Sequence, residues 1–97
     1  MLASLQGKLM TKGKDWVVVQ VNGIGFQVFV PQPLLNGLIG LEEDLTLYTH
    51  LHVRENELVL YGCASEEELA LFRLLLSVSG IGPRVALSLL SRLPVDR

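Results

Sequence analysis

The stretch Trp16-Val17-Val18-Val19-Gln20-Val21-Asn22-Gly23-Ile24-Gly25-Phe26-Gln27-Val28-Phe29-Val30 decides the fold. Asn22-Gly23 is the strongest short-range hairpin signal in the chain, because both residues tolerate the positive φ that a two-residue primed turn demands. The apolar, β-branched runs on either side read as strands, Trp16 to Val21 and Phe26 to Val30. The first is apolar on both faces. One face is therefore expected to line a sheet or barrel interior, and the other to be partly covered by another element or subunit. Upstream, Leu5 to Thr11 reads as a strand, joined through the polar turn Lys12-Gly13-Lys14-Asp15, whose glycine sits where φ can go positive. Together these strands form a meander.

Downstream, Pro31 and Pro33 stop the run, and Leu34-Leu35-Asn36-Gly37-Leu38 is at most a turn of helix or an apolar loop closing one end of the sheet. From Leu45 the pattern has period two. Leu45, Leu47, Thr49, Leu51 and Val53 point one way, and Thr46, Tyr48, His50, His52 and Arg54 the other. Leu58 to Tyr61 is its partner across the polar tip Arg54-Glu55-Asn56-Glu57. About five strands in roughly 60 residues favour a closed barrel, which removes exposed edges, and the five-stranded OB-fold is the commonest such solution.

The period then changes to that of helices. Ser65-Glu66-Glu67-Glu68 is a capping box: the serine hydroxyl accepts from the Glu68 N–H and the Glu68 carboxylate returns to the serine N–H. Leu69, Phe72 and Leu76 form one stripe and Leu71, Leu74, Leu75 and Val78 a second, which predicts a helix buried on much of its circumference and ending at Ser79-Gly80. A second helix starts near Pro83 and carries Val85, Ala86, Leu89 and Leu90. The expected class is α+β: a five-stranded OB-fold barrel over residues 1–63, then a helix-hairpin-helix segment over residues 64–97 belonging to a truncated helical second domain. Leu93-Pro94-Val95-Asp96-Arg97 reads as the start of a further helix, so the chain is expected to be cut inside that domain.

Composition excludes several classes. With 97 residues, 49% hydrophobic and 19% charged, the chain is too apolar to be disordered and too short for two ordinary domains. Its apolar runs, broken by Arg73 and Ser88, fall far short of the roughly 18 residues that span a bilayer. The N-terminus has no basic stretch followed by an apolar one, and the lone Cys63 cannot form an intrachain disulfide; both suit a cytoplasmic protein. Ten acids against eight bases give a net charge of −2. That argues against nucleic-acid binding by bulk electrostatics, so any such role must use local geometry.

The feature with most chemistry is Ser79-Gly80-Ile81-Gly82-Pro83-Arg84 between two apolar helices. Two glycines around one aliphatic residue permit a tight turn and leave the N–H groups at the start of the second helix bare. Such groups, at the positive end of a helix dipole, bind phosphate. Ile81 would plug the gap between the helices, Pro83 would start the second, and Arg84 would add a cation beside the phosphate. This is the helix-hairpin-helix pattern, which reads backbone rather than base. A plain helical hairpin whose glycines serve only the turn is the alternative. By residue type alone, Arg54-Glu55-Asn56-Glu57 reads as a solvated hairpin tip. His50 and His52 share a strand face but lack a third ligand, so they read as surface histidines rather than a metal site. Cys63 reads as a small core residue, and Tyr48 and Trp16 as packing or intersubunit contacts rather than stacking platforms.

Several motifs in order resemble the RuvA family, whose members bind Holliday junctions in the bacterial branch-migration machine. They are Leu5-Gln6-Gly7, Val21-Asn22-Gly23-Ile24-Gly25-Phe26, Thr49-His50 through Val53-Arg54-Glu55, Leu60-Tyr61-Gly62 and Gly80-Ile81-Gly82-Pro83-Arg84. The resemblance covers nearly the whole chain. It implies an OB-fold domain, a second domain with two helix-hairpin-helix motifs, and a third domain, absent here, that contacts the RuvB motor. It also implies a homotetramer whose concave face holds an open four-way DNA junction, acting with RuvB and the RuvC resolvase in recombination and repair. Gly80, Ile81, Gly82 and Arg84 then fall at the phosphate-binding hairpin, and Glu55, Asn56 and Glu57 at an acidic pin that repels backbones at the crossover. The sequence departs from the family at Asn56, where an aspartate is common, and at Ser4 and Gln6, where relatives are often basic; Glu57 is placed to restore the charge missing at Asn56.

Three functions compete. The favoured one is junction binding without catalysis, needing no catalytic residue, metal or cofactor. The second is a DNA-repair enzyme, since helix-hairpin-helix elements also occur in glycosylases and nucleases, but the chain offers no paired acids with metal spacing and no lysine or aspartate placed after the hairpin. The third is a generic single-strand-binding OB-fold or an oligomerisation module.

Overall fold

The computed structural model describes residues 2–92, so the helix expected to start at Leu93-Pro94 lies outside the described residues. The elements in order are β1 (Ser4–Lys12), β2 (Trp16–Val21), β3 (Ile24–Phe29), α1 (Gln32–Asn36), β4 (Asp44–Val53), β5 (Leu58–Cys63), α2 (Glu66–Leu76) and α3 (Pro83–Leu90). The decisive hairpin is present as read. Asn22 and Gly23 take φ of +51° and +83°, and Val21 pairs with Ile24 across them. Primed-turn geometry of this kind matches the right-handed twist of the flanking strands.

The five strands close into a barrel in the order β1-β2-β3-β5-β4, sealed by β1 against β4. All pairs are antiparallel except β3 with β5, where Val28 lies opposite Leu60 and Phe29 opposite Tyr61. Leu9, Val17, Val19, Val28 and Leu47 fill the interior with no exposed surface. The single turn of α1 inserts Leu35 into this core, as expected of an apolar segment closing one end. Thr49 is the buried polar residue of the barrel wall; its hydroxyl donates to the Leu2 carbonyl and its N–H to Ala3, so its burial leaves nothing unsatisfied.

A second core lies outside the barrel. β5 turns Leu60 inward and Tyr61 and Cys63 outward, where Leu69 and Phe72 of α2 and Ala86, Leu87 and Leu90 of α3 cover them. Phe72 is fully buried, 5.7 Å from the Tyr61 ring and 5.7 Å, edge-on, from His50. Tyr61 continues the contact to Phe29 at 5.9 Å. The helices cover β5 and β4 rather than β2, for which the covering was expected; on the outer face of β2, Trp16 and Val18 are half-buried and Gln20 is exposed. The Cys63 thiol sits with no exposed surface, and burial, with a smaller push from Glu68, drives its pKa up to about 12. It is a core residue with no thiolate to offer.

Several expectations need correction. Gly13 does not take positive φ. Glycine is required there because a Cβ would stand 2.1 Å from the Trp16 indole, while the Gly13 N–H bonds the Trp16 carbonyl at 2.7 Å. The capping box forms, with Ser65 Oγ accepting from Glu68 N–H at 3.1 Å, but the Glu68 carboxylate accepts from Ala64 N–H at 2.8 Å rather than from Ser65. α2 ends at Leu76, three residues early, and Leu74 and Val78 are 64% and 50% exposed, so its apolar surface outruns the area α3 and the barrel cover. Val53 is exposed because β4 and β5 extend past the barrel rim as a free hairpin.

Phe72→Ala removes a fully buried ring from the seam and is expected to cost about 3–5 kcal/mol in urea unfolding, while exposed Leu74→Ala stays within about 1 kcal/mol. Equal costs for the two would contradict this division of the helix.

Candidate nucleic-acid interface

Between α2 and α3 the chain makes a compact turn. Ser77 ends α2, its hydroxyl donating to the Leu74 carbonyl at 2.6 Å, and Ile81 N–H bonds Val78 O at 3.1 Å. Gly80 holds φ of +89° at the third position of that turn, where a side chain would be strained. Gly82 is the N-cap of α3 in extended conformation, and Pro83 takes the first helical position. A Cβ built on either Gly80 or Gly82 would meet nothing within 4 Å, so this backbone faces open space.

Donors converge there. The N–H groups of Gly80, Gly82, Arg84 and Val85 have no acceptor among the described residues; the next one, of Ala86, is taken by Gly82 O at 2.9 Å. No acidic residue stands in the first turn of α3, whereas the first turn of α2 holds Glu66, Glu67 and Glu68 and a serine cap. Of these two helix starts, only that of α3 is open to an anion. Ile81 contributes no donor, since its N–H is spent in the turn; its side chain packs against the helical core as the expected plug.

Arg84 does not hang free beside this turn. Its Nη1 bonds Asp15 Oδ2 at 3.0 Å, and its guanidinium carbon lies 4.6 Å from the centre of the Phe29 ring. Asp15 is on the β1–β2 turn, 69 residues away in sequence, and nothing in the sequence signalled the pairing.

The tip joining β4 to β5 is a four-residue loop closed by Arg54 N–H to Glu57 O at 2.9 Å. Glu55, Asn56 and Glu57 are exposed, as are Val53 and Leu58 at its base, and neither glutamate forms an ion pair among the described residues. No hydrogen bond or ion pair among the described residues links this tip to the α2–α3 turn, so the two are separate sites.

The surface placement that strand alternation gives His50 and His52 needs correcting. Both are half-buried, edge-on to Phe72 and Tyr61 respectively, and belong to the wall under the helices. No group of three metal-ligating side chains occurs among the described residues, and no helix there is long and apolar enough to cross a membrane. Burial, then the nearby Arg73 and His52, hold the His50 pKa below its ordinary 6.5.

The family model for the RuvA N terminal domain matches residues 1–62. The chain is similar to proteins called Holliday junction branch migration complex subunit RuvA. The one from Dehalococcoides mccartyi is 50% identical over 93 residues, 94% of this chain and 47% of that protein. The one from Herpetosiphon aurantiacus is 50% identical over 91 residues, 94% of this chain and 46% of that protein. The one from Chromobacterium violaceum is 47% identical over 96 residues, 99% and 49%. The chain spans about half the length of the curated relatives it matches.

Because the fold favours neutral His50, the unfolded chain takes up the proton more readily. Stability is therefore full above about pH 6.5 and falls as pH drops through the lowered folded value. The thermal midpoint is expected to decline between pH 7.5 and 5.5, above the main carboxylate range, and His50→Gln should flatten that decline. An unchanged slope in the variant would remove His50 as its source.

Proposed function

Since this chain belongs to the RuvA N-terminal domain family, we propose that it is the part of a RuvA subunit that binds four-way DNA junctions, without catalysis and without a cofactor. The observation that carries this reading is the group of unclaimed N–H donors of Gly80, Gly82, Arg84 and Val85 at an acid-free helix start. A phosphate oxygen placed there would meet several backbone donors and the positive end of the α3 dipole together. Such contacts follow the sugar-phosphate path and carry no base information. They also suit a chain of net charge −2, which has no bulk basic surface to offer.

The β4–β5 tip completes the reading by repulsion. Glu55, with Glu57 compensating for the uncharged Asn56, would keep duplex backbones from closing over the crossover. In the proposal residues 1–63 are the OB-fold domain and residues 64–97 the first hairpin motif of the second. A homotetramer presents four copies of both features to the junction arms, in the cytoplasm. The RuvB motor and the RuvC resolvase act on the same assembly, RuvB through a further domain that this chain does not contain.

Gel shifts with single strands, duplex and a four-way junction test the proposal. The junction should be preferred, and equal affinity for all three would favour a generic single-strand-binding or oligomerisation module instead. Arg84→Ala should weaken binding to duplex and junction alike and reduce the salt slope by about one contact. Glu55→Gln should change the ratio of junction to duplex affinity, and an unaltered ratio would deprive the pin of support.

A further inference from the structure

We propose that Asp15 is a charge brake on the phosphate-binding hairpin: it occupies Arg84, so that a nucleic-acid phosphate gains this cation only by displacing a carboxylate. The inference rests on the junction-binding reading of α3 and adds a residue to it. Arg84 is the second residue of α3, next to the open N–H groups, and is the one basic side chain in the first turn of that helix. Its guanidinium is held twice, by Asp15 Oδ2 at 3.0 Å and by the Phe29 ring face at 4.6 Å. The ring contact fixes the plane of the group, and the carboxylate cancels its charge.

The contact is built to open. It is a single hydrogen bond between side chains that are 63% and 36% exposed, and pairs of this kind are weak. Asp15 itself is anchored, because its carbonyl accepts from Val30 N–H at 3.1 Å at the end of β3, so the carboxylate stays beside α3 when Arg84 leaves. A phosphate arriving at the helix start therefore meets an arginine that must exchange partners and a fixed negative charge a few ångströms further on. Both effects lower affinity for any isolated duplex segment. Stable binding then requires many such contacts at once, which a junction offers to several subunits and a lone duplex does not. Asp15 acts through Arg84, as a positioning residue, and touches no DNA itself.

Anisotropy titrations of a labelled four-way junction and a labelled duplex over a salt series, using the full chain and its Asp15→Asn, Arg84→Gln and doubly substituted forms, test this. Asn keeps the shape and an acceptor for Nη1, and the backbone bond to Val30 is untouched; the thermal midpoint checks that each variant is folded. Asp15→Asn should tighten binding to duplex and junction by about fourfold or more at low salt, and this gain should shrink as salt rises. In the Arg84→Gln background the gain should vanish. Unchanged or weaker binding by Asp15→Asn, with Arg84→Gln still impaired, would overturn the brake while leaving the phosphate site standing. An equal gain in both backgrounds would make Asp15 a general repulsive charge and would also overturn it. Arg84→Gln binding as well as the parent would sink the arginine's phosphate role and the brake with it.

Discussion

The structure depends on a strand that must be buried on both faces. β5 is apolar from Leu58 to Tyr61 and then reads Gly62-Cys63, with Leu60 directed into the barrel and Tyr61 and Cys63 directed out of it. A strand of that pattern cannot face water on either side without exposing large apolar area. Closing the barrel buries one face through the parallel pairing with β3, and only the two helices can bury the other. The helices in turn need the strand. Phe72 has no exposed surface because Tyr61, His50 and the α3 residues surround it, and α3 alone, at eight residues, is shorter than a helix that is stable by itself.

That seam positions the two features on which the proposed junction reading rests. It runs from Phe72 through Tyr61 to Phe29, and Phe29 is also the ring on which Arg84 rests. The first turn of α3 is thereby referenced to the barrel. The β4–β5 hairpin takes its direction from the same strands, because Val53 and Leu58 continue the pairing of β4 and β5 beyond the rim. One wall thus orients both an attractive and a repulsive element, which the proposed junction reading needs held in fixed relation.

Local signals were legible in the sequence and long-range ones were not. Asn22-Gly23, Ser65 with Glu68, and Pro83 after two glycines each fix their geometry within four residues, and all three appear where read. The stripes on α2 misled because periodicity reports which side chains are apolar, not how much neighbouring surface exists to cover them; Leu74 and Val78 stay exposed. His50 and His52 were placed on a solvent face because alternation distinguishes two faces but does not show that a later helix covers the second. Gly13 illustrates the same limit, since the ring it makes room for is three residues on, but the backbone path that brings the two together belongs to the turn.

The two helix starts carry the last step. α2 and α3 have the same partially charged N-terminus, yet α2 answers it internally with Ser65, Glu68 and two further acids, while α3 begins with Gly82 and Pro83, which have no side chain able to accept a hydrogen bond. A chain selected only for stability would cap both, since a capping side chain in place of glycine contributes about a few tenths of a kcal/mol and Gly82 has open space around it for one. Leaving one start bare is a local sacrifice of stability of the kind that functional sites show. The contrast is internal to one molecule, which makes the α3 start stand out without reference to any relative.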